Sequence, residues 1–208
     1  MVLRLKAVHV SCLRAIVHLG ALGFLFWLGL AIAAGLLGGD PVPELIHYLG
    51  KGALNLLLLT LLVSPLAKYW RQGQLIKLRR PLGLWCFAWA LLHFMAWLGL
   101  DLQFDWGLIG GELVKRSYIV VGMVALLLLA ALSITSLPGL QRRMGAAWQK
   151  LHNWVYLIAL LVPLHYWWSL KSGWQEPFIY LLLVCALLWL RRDKLLRPWR
   201  GRGTAKEA

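Results

Sequence analysis

Trp148 to Leu170 reads WQKLHNWVYLIALLVPLHYWWSL, one long apolar segment that carries two histidines, His152 and His165. A helix rises about 1.5 Å per residue, so the thirteen residues between them span roughly 20 Å, most of a bilayer's apolar depth. One imidazole then lies near one membrane face and the other toward the opposite half. An imidazole in hydrocarbon must satisfy both ring nitrogens within the protein, through a bond to a neighbouring helix or through a metal. On a straight helix the two rings fall about 140° apart, so they do not share a face, and Pro163 introduces a kink that alters this phase.

The rest of the chain places this segment in a membrane. Of 208 residues, 61% are hydrophobic and 14% charged, far from the composition of a soluble domain. Six apolar runs follow one another: Ala15–Leu37, Glu44–Leu66, Leu82–Leu100, Ser117–Leu137, Leu151–Leu170 and Pro177–Leu190. Most approach the ~20 residues a spanning helix needs, and none alternates at period two as a membrane β-barrel would. The expected fold is all-α, a polytopic membrane bundle of six transmembrane helices. No internal repeat and no long linker divides it, so residues 15–190 read as one transmembrane domain. A basic amino terminus, 1–14, precedes it, and a basic tail, 191–208, follows as a surface anchor.

The charges orient the bundle. With both termini on one side, that side holds 18 of the 22 Lys and Arg, and the other side holds six of the eight acids. Cytoplasmic loops carry the Lys/Arg excess, so both termini are expected inside. The net charge of +14 is then a topology signal. Contact with membrane lipid is expected, and nucleic-acid binding is not, because the basic residues flank spans and do not gather on one soluble face. Thirteen tryptophans cluster toward span ends as interfacial belts. Cys12, Cys86 and Cys185 form no C-x-x-C pair, which leaves covalent haem attachment and thiol redox chemistry without support.

Histidine is the remaining strong ligand type. His18 lies four residues past Arg14, in the inner half, and His47 sits at the outer interface. His93 is thirteen residues past Arg80 and His165 fifteen past Lys150, so on two outward-running helices they reach similar depth. Structural zinc asks for about four ligands, usually including Cys, and no such cluster exists. A haem iron brings four nitrogens of its own and asks for one or two axial imidazoles, which suits single histidines scattered over different helices. Filling both axial positions leaves no site for substrate and points to electron transfer. The segment after the sixth run is too short for a flavin or nicotinamide domain, so electrons are expected from a separate reductase or from membrane quinol.

Three segments carry a resemblance: Gly39–Lys68 (GDPVPELIHYLGKGALNLLLLTLLVSPLAK), Arg79–His93 (RRPLGLWCFAWALLH) and Leu140–Trp168 (LQRRMGAAWQKLHNWVYLIALLVPLHYWW). Together they resemble the MsrQ (YedZ) family of the ferric-reductase-like transmembrane superfamily, over nearly the whole chain except its ends. The resemblance implies a multi-pass haem b subunit of the bacterial inner membrane. Such a subunit passes electrons from the quinone pool or a cytoplasmic flavin reductase to a periplasmic MsrP-type molybdenum-cofactor enzyme, which reduces methionine sulfoxide in proteins. The family is also described as binding FMN. Its haem ligands fall on His93, His152 and His165. The wider superfamily has a second histidine on the third helix, where this chain has Arg79 and Arg80. His93 and His165 are thus a complete pair for one haem, while a second at His152 lacks its partner: either His18 completes that site, or the site is five-coordinate, of low occupancy or absent, so the haem count is one or two. Two other readings stay open on the residues: a stand-alone ferric or quinone transmembrane reductase, and a membrane scaffold without redox work.

Overall fold

The computed structural model describes residues 5–170 and 172–192. The basic tail expected beyond Arg192 and the first four residues of the amino terminus lie outside them. Among the described residues every regular element is a helix. In order these are α1 (Ala7–Ala33), α2 (Pro41–Tyr69), a 3-10 segment (Gly73–Leu78) and α3 (Arg79–Ala96), which widens into a π-type turn over Trp97–Asp101. Then come α4 (Trp106–Lys115), α5 (Ser117–Ile134), α6 (Pro138–Met144), α7 (Ala146–His152), α8 (Val155–Ser169) and α9 (Gln175–Leu190).

Each of the six apolar runs corresponds to a helix, but they differ in length. Residues 7–33, 41–69, 73–101 and 117–134 are long and apolar enough to cross a membrane. With 15 and 16 residues, α8 and α9 fall short of the ~30 Å apolar layer on their own. The expected single helix through His152 and His165 is interrupted, since α7 ends at His152 and α8 begins at Val155. Asn153 and Trp154 keep right-handed helical angles, and the Trp154 N–H donates to the Leu151 carbonyl at 3.0 Å, a tightened turn three residues long. The local pitch change rotates α7 relative to α8, so the 140° separation of a straight helix does not apply. Pro163 sits fully buried inside α8.

The helix ends follow from breaker chemistry. Gly35 (φ +67°) closes α1, with its own N–H bonded to Ile32 and that of Leu36 to Ala31, the two-bond Schellman closure. Pro41 and Pro43 open α2. The same closure ends α2, but there the left-handed position is Arg71 at φ +54°, where a side chain costs energy that glycine avoids. Arg71→Gly is therefore expected to stabilise the fold by up to about 1 kcal/mol; a lowered thermal midpoint would contradict this. In the connection between α3 and α5, Asp105 caps α4 by accepting from the Gly107 and Leu108 N–H groups at 2.8 and 3.1 Å.

The bundle is organised around α2, which packs along α3 and also meets α8 and α9, while α5 packs along α8 and α1 lies outside against α3. Helical spacing puts Leu54, Leu57 and Leu61 of α2 on one stripe, and Ala125, Leu129 and Leu132 of α5 on another. All of these but Leu54, which lines a cavity, close one apolar core with Cys86, Ile158, Ala159 and Val184. The opposite faces stay apolar and exposed, notably Ile16, Leu19, Phe24 and Phe26 on α1, a surface suited to lipid. One approach is very close: a side chain at Gly52 would collide with the buried Trp89 ring. Gly52→Ala is expected to cost roughly 1–3 kcal/mol by overpacking at the α2–α3 contact, measurable as a fall in thermal midpoint.

Candidate functional site

A cavity of about 420 Å³ opens in the bundle, lined by residues of α2, α3, α5 and α8. That volume lies within the roughly 300–1,000 Å³ of cofactor pockets. His93 enters it from α3 and His165 from α8. Their ring centres are 6.2 Å apart and their planes stand at 86°. The two histidines expected at similar depth thus lie in one cavity with neighbouring rings.

Each imidazole is anchored in the same way. His93 Nδ1 lies 2.8 Å from the Ile46 carbonyl oxygen, and His165 Nδ1 lies 2.7 Å from that of Tyr118. A carbonyl only accepts, so each Nδ1 must carry the proton and donate it. That fixes the tautomer and leaves Nε2 with its lone pair, the state a metal-ligating histidine requires. Both carbonyls are already the i−4 acceptors within their own helices, and the residue four positions on is glycine in each case, Gly50 and Gly122. Side chains on a helix lean toward its amino terminus, so a side chain there would cover the carbonyl. At Gly50 an added Cβ would stand 3.1 Å from His93 Nδ1, and at Gly122 2.7 Å from His165 Cε1. The two glycines are notches into which the rings fit. Neither was found from the sequence; the signal was a carbonyl acceptor, a glycine four residues on and a histidine later, recurring on two helix pairs.

Polar groups gather at one end of the cavity. Lys51 pairs with Glu176 at 3.2 Å and ties α2 to α9. Arg116 contacts Glu112 at 2.6 Å and donates to the Tyr118 hydroxyl at 3.0 Å. His47, read as an interfacial residue, lines the same cavity and meets the Tyr166 ring edge-on at 6.0 Å. The opposite end is apolar, with Leu57 and Leu129.

The other two candidate histidines are not brought together. His18 is exposed on α1, and its Nδ1 accepts from the Trp85 indole N–H at 2.9 Å. That bond places the His18 proton on Nε2 and leaves no free lone pair. His152 is half-buried at the end of α7, stacked on Trp148 at 3.9 Å, with Nδ1 3.1 Å from the Trp148 carbonyl. The ring also interacts with the Leu132 carbonyl, and among the described residues no second imidazole meets it. His18→Ala is expected to leave the metal content and spectrum of the purified protein unchanged; loss of a spectral component would return His18 to the ligand set.

The donor set is narrow. Among the described residues no three His, Cys, Asp or Glu side chains group to hold a bare metal ion. Two imidazoles suit a macrocycle that supplies the other four donors. A metal–imidazole bond of about 2.0–2.1 Å, plus about 1.1 Å from that nitrogen to the ring centre, sets two axial rings about 6 Å apart across one iron. The 6.2 Å separation of His93 and His165 fits this.

An apolar bundle with two facing, lone-pair-ready imidazoles defines a membrane protein of the ferric-reductase-like class. Residues 49–163 match the profile of the ferric reductase like transmembrane component. The chain is 48% identical over 197 residues to the protein-methionine-sulfoxide reductase heme-binding subunit MsrQ of Yersinia pseudotuberculosis serotype O:1b, covering 94% of this chain and 97% of that one. It is 48% identical to the subunit of the same name from Yersinia pestis strain Pestoides F, covering 94% and 95%. The chain belongs to the MsrQ family.

Proposed function

We propose that this chain is the haem b electron-transfer subunit of a protein-methionine-sulfoxide reductase system. The observation that carries the reading is the His93–His165 pair, 6.2 Å apart with both Nδ1 atoms tied to backbone carbonyls. When bound, the haem supplies a reversible one-electron couple. The chain's own residues do the rest. His93 and His165 would hold the haem iron between them through their Nε2 atoms, while the Ile46 and Tyr118 carbonyls fix the rings and raise their basicity. The apolar end of the cavity excludes water and limits reorganisation. His152 is assigned to a second haem with one protein ligand.

In this reading six helices span the inner membrane of a bacterium with both termini in the cytoplasm, and α7 continues into α8 to complete the fifth span. Residues 1–14 and 191–208 lie at the cytoplasmic surface and 15–190 form the haem-binding domain. Electrons come from the quinone pool or a cytoplasmic flavin reductase, with FMN as a further cofactor, and leave to a periplasmic MsrP-type molybdoenzyme. The names of the relatives support the haem and the reductase partner.

The test is a haem count and a reduced-minus-oxidised spectrum of the detergent-purified chain and of His152→Ala. A spectrum from six-coordinate haem that survives His152→Ala, with the second component lost, is expected. Mixed with reduced chain, the periplasmic molybdoenzyme should reoxidise it and repair a methionine-sulfoxide protein. A chain without haem, or one that the molybdoenzyme does not reoxidise, would defeat the proposal.

A further inference from the structure

Two arginines at the end of the bundle away from the cavity's polar groups are unaccounted for by the haem site. Arg191, directly after α9, is only 4% exposed, and its Nε, Nη1 and Nη2 all lack a hydrogen-bond partner. Arg79, the first residue of α3, has a buried Nε that is also unpartnered. The two guanidiniums lie within electrostatic reach of each other, and Tyr156 of α8 interacts with both, its ring 5.6 Å from the Arg191 Cζ. Neither makes an ion pair among the described residues.

A guanidinium cannot shed its proton, so a buried one must find an acceptor or carry a large desolvation penalty. Capping the carbonyls at the end of α9 would be the plain explanation for Arg191, but no such bond forms. The Tyr156 ring face offers only weak compensation at 5.6 Å. Two like charges within electrostatic reach of each other, each with buried unpartnered nitrogen, call for an anion.

We propose that Arg79 and Arg191 form a phosphate-binding site between the start of α3 and the end of α9. A phosphate carries up to two negative charges to balance two guanidiniums, and its tetrahedral oxygens accept from both planar forks at once. Lys77, Arg80 and Arg192 flank the site in sequence and keep the local potential positive. The position, at the ends of apolar helices and on the basic side of the chain, is headgroup depth, where basic pockets between helices hold lipid phosphates. A water-soluble phosphate reaching the same depth from the cytoplasm offers the same chemistry. His152 lies within electrostatic reach of Arg79, so the phosphate would neighbour that candidate ligand. The inference does not depend on the haem reading.

The experiment uses the full chain in detergent, in phosphate-free buffer. Phosphorus per chain is measured separately in chloroform and aqueous extracts, and lipid-stripped protein is titrated with inorganic phosphate while thermal unfolding is followed. Wild type is expected to retain phosphorus or be stabilised by phosphate, and Arg191→Met to lose that phosphorus or weaken phosphate by about tenfold or more. Arg191→Lys, which keeps the charge and loses the fork, should fall between. Loss from the chloroform extract identifies a phospholipid headgroup; loss of the thermal response identifies a soluble phosphate. Stripped of phosphate and lipid, Arg191→Met should be at least as stable as wild type, because it removes an unpaired buried charge. A less stable variant would mean that Arg191 has a partner within the chain. Asp193, the nearest acid in sequence, is tested by Asp193→Asn; a loss of phosphorus-independent stability there would also overturn the site. So would haem loss in Arg191→Met, which would assign the anion to a macrocycle carboxylate, or unchanged phosphorus and response in every variant.

Discussion

His93→Ala and His165→Ala should each remove the outer haem almost completely, and the loss should not be halved by the histidine that remains. The two rings are 6.2 Å apart and face each other across the same cavity, so removing either leaves one axial bond and an opening the size of an imidazole. Outer-shell partners of metal ligands are worth about 10–100-fold in affinity, and a ligand itself is worth at least that, so haem content in purified protein should fall by about tenfold or more. Any residual haem should have the spectrum of a five-coordinate or water-ligated iron. Exogenous imidazole should restore the six-coordinate spectrum in both variants, since the space that the ring vacates stays lined and apolar. Wild-type haem content and spectrum in either variant would remove the site.

Gly122→Ala carries the second large effect. A Cβ at this position would lie 2.7 Å from His165 Cε1 and 2.8 Å from Nδ1, closer than real side chains tolerate, and the obstacle is a ring already fixed by the Tyr118 carbonyl. The ring must move, the 2.7 Å hydrogen bond must lengthen, and Nε2 leaves its position. Haem content or the axial-ligand spectrum should change by a factor of about 10–100 in affinity terms. Gly50→Ala should be milder, because its Cβ would stand 3.1 Å from the His93 ring and a few tenths of an ångström of relief suffices. Gly83→Ala is the control within the same bundle: its Cβ would meet only Thr60 Cγ2 at 3.9 Å, and alanine favours helix. A reduction potential or low-spin signature that shifts in the order Gly122, Gly50, Gly83 identifies positioning of the rings. Equal effects at all three would indicate general destabilisation only.

Much of this architecture was legible in the chain. Length and hydropathy of the runs foretold the helices because hydrophobicity is a property of consecutive residues, whereas the first run was expected to continue to Leu37 and instead closes at Gly35. The expectation of similar depth for His93 and His165 came from counting residues to the flanking basic groups. The reading of one continuous helix through His152 and His165 did not hold, since the tightened turn at Asn153–Trp154 has no glycine or proline to announce it.

The ligand-ready state of each histidine was decided elsewhere. Ile46 and Tyr118 give their carbonyls to rings 47 residues further along, and Gly50 and Gly122 clear the way for them on a different helix. His18 and His152, alike on paper as inner-half candidates, part company because Trp85 supplies one with a donor while the other lies against the Trp148 and Leu132 carbonyls. Sequence by itself determined which segments are apolar helices and which residues offer imidazole nitrogens, since hydrophobicity and side-chain type belong to each residue alone. Only the tertiary structure decided which lone pairs face one another, because a proton's place on an imidazole is set by whichever neighbour the packing of another helix brings within hydrogen-bond reach.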